Sequence, residues 1–160
     1  MITQEKLKEL VGYDPTTGIM TWLKPTSNRV CIGDEVGSKD SRGYISTQID
    51  GYKTRIHRLA WLYVYGSLPN VIDHINGNRS DNRISNLRDC TQRQNSYNRG
   101  RNKSNTSGER NIFITEYGYE VKAYKNRRVL FYSRFQDFKE AVAYRDEQLR
   151  IHYKEFVNYG

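Results

Sequence analysis

The sequence predicts an α+β protein built as two small units rather than around one large interior. Three observations carry this. Only 36% of the 160 residues are hydrophobic and mean hydropathy is −0.86, which is little apolar material for a single large core. Short β-branched and aromatic runs alternate with turn signals and with helical spacings. Residues 98–108 are rich in Asn, Gly, Ser, Arg and Lys and read as a linker. The expected division is residues 1–98, a basic linker over 99–108, and a second unit over 109–160.

Thr3 to Leu10 reads as a short helix, with Thr3 as N-cap and Leu7 and Leu10 on one face. Tyr13 to Gly18 is a turn, because Pro15 fixes φ and Gly18 supplies positive φ. Ile19 to Trp22 is a strand. Gly37 to Asp40 is turn-like and leads into a strand over Gly43 to Ile49. Asp50-Gly51 joins that strand to Tyr52–Ile56 as a hairpin. His57 to Tyr65 has the apolar spacing of a helix and ends at Gly66; Trp61 is expected in its core face. Val71 to Asn98 follows in the order strand, polar loop, strand over Leu87 to Asp89, helix over Thr91 to Tyr97. Beyond the linker, 111–114, 119–124 and 129–132 read as three strands. A final helix capped by Asp137 runs to Phe156, with Phe138, Ala141, Val142, Leu149 and Phe156 on one face.

The net charge is +8, spread along the chain, which points to nucleic acid or an anionic membrane as partner. Residues 1–98 hold 13 basic and 10 acidic side chains against 13 and 8 in the shorter remainder, so the second unit is the expected grip on a polyanion. No apolar run approaches the roughly 20 residues of a membrane span, and no signal peptide opens the chain. Two cysteines, Cys31 and Cys90, sit in unlike contexts, which excludes a Cys-rich zinc site and points to a reduced, intracellular setting. Most of the 13 tyrosines suit strand packing.

The chemistry concentrates in residues 73–95. Asp73 and His74 are neighbours on a predicted strand, so their side chains point to opposite sides. An imidazole suits deprotonation of water near neutral pH. A carboxylate and an amide, Asp73 and Asn95, suit a hard divalent ion bound through oxygen. Asn86, just before the second strand, can hydrogen-bond across the loop and hold the imidazole in place. On a basic protein this combination points to phosphodiester cleavage. Asn76, Gly77, Asn78 and Asn82 are expected to serve turns. His57 is expected to be structural or close to DNA rather than catalytic.

Residues 71–98 resemble the HNH nucleases of the ββα-metal fold, in the phage and intron homing-endonuclease branch. Tyr13 to Gly18, Arg42-Gly43-Tyr44 and His57 to Trp61 are similar to that branch's N-terminal region. The resemblance implies His74 as general base, Asp73 and Asn95 as metal ligands and Asn86 as the loop-fixing Asn. Mg²⁺ is the implied cofactor, with Mn²⁺ as substitute. It also implies a phage-encoded monomer acting on double-stranded DNA in the cytoplasm of a bacterial host, away from any membrane. Residues 104–156 resemble an AP2-like DNA-binding domain, a three-stranded sheet plus helix, with its signature motifs degenerate. Expected DNA contacts are Arg99, Arg101 and Lys103 in the linker and Arg110, Tyr119, Lys122, Tyr124, Arg127 and Arg128 on or near the strands. The alternative function is a DNA-binding regulator with an inactive nuclease module.

Overall fold

The structure, a computed structural model, describes residues 2–24, 27–97 and 105–153. It is a mixed α+β architecture that divides into two compact units, Met1–Arg93 and Gln94–Gly160. The division falls within a helix ahead of the expected linker, of which residues 99–104 lie outside the described residues.

The first unit opens with α1 (Gln4–Leu10), whose N-cap Thr3 accepts from the Lys6 N–H at 3.3 Å. Then β1 (Val11–Tyr13) pairs antiparallel with β2 (Met20–Trp22) around the Asp14–Gly18 turn. β1 leaves no signal in the sequence, because three residues are too few to show a period. The expected turn at Gly37 to Asp40 contains β3 (Ser38–Lys39), which becomes a strand only by pairing with β4 (Ile45–Ile49). β5 (Tyr52–Arg55) closes this three-stranded sheet in the order β3-β4-β5. Asp50 and Gly51 both take positive φ in the hairpin between β4 and β5, the conformation that an Asp-Gly pair tolerates best.

The helix α2 (Ile56–Tyr65) follows and ends on Gly66, whose φ of 74° lets its N–H reach the Leu62 carbonyl. It packs on β4, β5 and α1. Its inward residues Ile56, Leu59, Ala60 and Leu62 join Leu7, Val11, Met20, Trp22, Ile49, Ile72 and Leu87 in one buried cluster. Full burial of a leucine such as Leu59 contributes about 1.5–3 kcal/mol, so this cluster fixes α2 beneath the segment that follows. That segment is β6 (Ile72–His74), a loop, a 3-10 turn (Ile84–Asn86), β7 (Leu87–Asp89) and α3 (Gln92–Tyr97). β6 and β7 pair antiparallel, with Asp73 opposite Arg88 and His74 opposite Leu87.

The second unit has a sheet of order β10-β9-β8, from β8 (Ile112–Thr115), β9 (Gly118–Lys125) and β10 (Arg128–Phe135). The helix α4 (Phe138–Tyr153) packs on all three strands, with Asp137 Oδ1 accepting from the Glu140 N–H as its cap. Ile112, Val121, Ala123, Phe131, Ala141 and Leu149 form the core. The helix carries Arg145 inward at 2% exposure. Its guanidinium donates to the Arg110 carbonyl and to Glu109 Oε2, both at 2.9 Å, and it also bonds Asp146.

Candidate active site

His74 closes β6 with its ring buried at 5% exposure. Three elements surround it. The His57 ring on α2 meets it edge-on at 4.9 Å between centroids, and the Tyr44 ring lies 6.0 Å away. Tyr44 and His57 are themselves 5.4 Å apart, so the three rings form a triangle. On the loop side, Asn82 Oδ1 lies 3.5 Å from His74 Nε2. The Asn82 Nδ2 donates to the Ser80 carbonyl at 3.2 Å, which turns the acceptor oxygen toward the imidazole. An amide oxygen only accepts, so Nε2 carries the hydrogen in this contact and Nδ1 keeps the lone pair. Burial pushes the His74 pKa down, against smaller opposing effects of Asn82, Asp73 and Asp81. The ring is therefore neutral near pH 7, the form a base needs.

Asn86 pins the loop that follows the histidine. Its Oδ1 accepts from the Asn76 N–H at 3.0 Å and its Nδ2 donates to the Asp81 carbonyl at 2.8 Å. Its own backbone carbonyl accepts from the Ile75 N–H. Asp81 adds a clasp: it accepts from Asn76 Nδ2 and from both Nε and Nη2 of Arg83. The Arg83 hydrogen bond leads in holding its carboxyl down at about 2. From outside the loop, Tyr13 Oη donates to the Asn82 carbonyl at 2.8 Å. A Cβ on Gly18, whose φ is 78°, would stand 2.4 Å from the Arg83 nitrogen, so the β1–β2 turn abuts the loop at a spacing only glycine permits.

Asp73 points away from His74, as adjacent strand residues must. It is 6% exposed and its Oδ2 accepts from Arg88 Nε at 2.9 Å and Nη2 at 2.7 Å. The grip uses one carboxylate oxygen and fixes the orientation of the group. Asn95 is exposed on α3 and falls past the division of the chain. Both are hard oxygen donors, the type that suits Mg²⁺ or Mn²⁺.

Residues 54–97 match the family model of HNH endonuclease. No curated protein and no solved structure matches the chain. The match supports an HNH nuclease domain in this segment. HNH nucleases are in general dependent on a divalent metal.

Two residues of the site escaped the sequence. Asn82, read as a turn former, is 4% exposed and is the amide that faces the imidazole. His57, expected to be structural or close to DNA, is one wall around the His74 ring, and its Nδ1 is buried without a hydrogen-bond partner among the described residues. The helical pattern put His57 at the start of α2 but could not show that α2 lies beside β6.

Of the expected DNA contacts, Arg99, Arg101 and Lys103 lie outside the described residues. Arg127 and Arg128 are exposed at the β9–β10 turn. Lys122 and the exposed Tyr124 share the sheet face opposite α4, where Lys122 meets Glu120 at 3.0 Å. Arg134, not singled out in the sequence, reaches the same Glu120 from β10. Arg110 is half-buried, ahead of β8. Tyr119, also expected on or near the strands as a DNA contact, is half-buried on the helix side of the sheet. The strand alternates Tyr119, Val121 and Ala123 toward the helix, and the tyrosine ring lies 5.1 Å from Phe138. Among the described residues no helix is long and apolar enough to cross a membrane.

Proposed function

We propose that this chain is a metal-dependent DNA endonuclease of the HNH homing type that nicks one strand of duplex DNA. The observation that carries this is the buried, neutral His74 beside Asp73, inside the segment that matches the family. His74 Nδ1 takes a proton from a water molecule, whose oxygen attacks phosphorus opposite the leaving 3′ oxygen. Products carry 5′-phosphate and 3′-hydroxyl. Asn82 holds the ring's tautomer and rotation, while Asn86 holds the loop that supplies Asn82. Tyr44 and His57 exclude bulk water from two edges of the base.

Asp73 is the carboxylate that would hold the cation, and Asn95 is the amide that the sequence pairs with it. When bound, Mg²⁺ or Mn²⁺ supplies charge neutralisation on the scissile phosphate and the departing oxygen. In the second unit, an AP2-like sheet would bind duplex DNA through Lys122, Tyr124, Arg127 and Arg128, with Arg99, Arg101, Lys103 and Arg110 along the backbone. A monomer of a phage-encoded enzyme, working in the bacterial cytoplasm, fits one site per chain.

One observation favours the second reading, a DNA-binding regulator with an inactive module: Arg88 already neutralises Asp73. Incubation of supercoiled DNA from the source genome with Mg²⁺ separates the two. The nuclease predicts nicked circles from the wild type and none from His74→Ala or Asp73→Ala. Absence of nicking by the wild type, or full activity in His74→Ala, removes it.

A further inference from the structure

The first unit holds a basic cleft that the chemistry above does not use. A cavity of about 340 Å³ opens on the β3-β4-β5 sheet. Arg42, Lys53 and Arg55 line it, with Ser41 and Ser46 beside them. The register places Ser46 opposite Arg55, and residues two apart on β5 share a face, so Lys53 and Arg55 point the same way. Asp40 is the one acidic residue of the lining. Its Oδ1 accepts from the N–H groups of Arg42 and Tyr44 and its Oδ2 from Ser46 Oγ, which commits it to the turn. None of Arg42, Lys53 and Arg55 enters an ion pair among the described residues.

The cleft is tied to the catalytic base by one ring. The Arg55 guanidinium stands 3.9 Å over the Tyr44 centroid, and Arg79 stands 5.1 Å from it. Arg79 also donates to the Arg42 carbonyl at 2.9 Å. Tyr44 in turn packs on His57 and His74. With the ring 6.0 Å from His74, the Arg55 charge lies within about 10 Å of the imidazole. Successive phosphates on one DNA strand also turn about the helix axis and stand roughly twice their ~3.4 Å axial rise apart, so that reach spans one to two nucleotides. A planar guanidinium held by stacking is pre-organised for two parallel hydrogen bonds to a phosphodiester anion.

We propose that Arg42, Lys53 and Arg55 form a subsite for a backbone phosphate one to two nucleotides from the cut bond. Through Tyr44 the subsite sets the strand in the same frame as His74. The position of the cut rests on the nuclease reading; the affinity of the cleft for DNA backbone does not.

The full-length chain is titrated with a random-sequence duplex in calcium, by fluorescence anisotropy, across a potassium chloride series. Lys53→Ala/Arg55→Ala is expected to bind about tenfold more weakly at low salt, with a log–log salt slope shallower by about two. Lys6→Gln, exposed on α1 and outside the cleft, is expected to match the wild type in both. If the double variant melts early, exposed Lys53→Gln alone reads the same change, at about one unit of slope. Unchanged affinity and slope in a folded variant overturn the subsite. Cleft-dependent binding without nicking in Mg²⁺ removes the nuclease and leaves the subsite, whereas nicking with cleft-independent binding removes only the subsite.

Discussion

Asn82 faces His74 with its oxygen because its nitrogen is spent on the Ser80 carbonyl. Removing that amide frees the imidazole to rotate and to exchange tautomers. Asn82→Ala is expected to lower the single-turnover cleavage rate at saturating DNA about ten- to a hundredfold, the range found when an orienting partner is lost, with little change in KM. Asn82→Asp keeps an acceptor and should retain more of the rate; equal rates in wild type and Asn82→Ala would exclude the orienting role. His57 makes a separate statement about stability. Burial first, then the charges of His74, Arg55 and Arg58, push its pKa down to about 3. The unfolded chain binds its proton near pH 6.5, so the folded state is favoured fully above that pH and loses ground as pH falls toward 3. The loss approaches about 1.4 kcal/mol per pH unit for one such group. Urea unfolding at several pH values should show a flatter profile for His57→Phe than for the wild type. The same change removes an orphaned nitrogen whose burial costs about 1–3 kcal/mol.

At the scale of elements, the β9–β10 hairpin turns on Asn126 and Arg127, both at positive φ (53° and 64°). That is a type I′ pair, in which asparagine is comfortable and arginine is not. Arg127→Gly is therefore expected to raise the stability of the second unit by about 1 kcal/mol, read as a higher thermal midpoint. If Arg127 contacts DNA, the same variant loses affinity while gaining stability. The hairpins and long helices were legible in the sequence because their signals are local: Asp50-Gly51 in one turn, the spacing of Leu59 and Leu62 in α2, the Asp137 cap. What was hidden depends on distant partners. β1 and β3 are strands only through pairing with β2 and β4. On α4 the sequence puts Phe138, Ala141, Val142, Leu149 and Phe156 on one face, of which Phe156 lies outside the described residues, and Arg145 is not among them. It occupies the same stripe and is buried because Glu109 and the Arg110 carbonyl, some 35 residues earlier, satisfy its guanidinium. In the site, Asp73 and His74 were legible from their adjacency, while Asn82 and the His57 wall required the fold to bring them in.

Over the whole molecule, each unit has a buried cluster of its own. Both tryptophans, Trp22 and Trp61, belong to the first unit, so their fluorescence reports that unit alone. Leu149→Ala empties part of the second core and should destabilise it by about 2–5 kcal/mol. Circular dichroism is expected to show an earlier loss of helix while the tryptophan midpoint stays in place; a joint shift would mean that the two clusters melt as one. The meeting of Gly18 and Tyr13 with the Asn82 corner has a consequence for how this chemistry is inherited. The stretch that matches the family starts at residue 54, yet one of its corners is buttressed by residues more than sixty positions upstream. Transplanted alone into another scaffold, that stretch would carry its histidine and its carboxylate but leave the histidine's neighbour unsupported. Competence travels with the first two strands as well as with the motif.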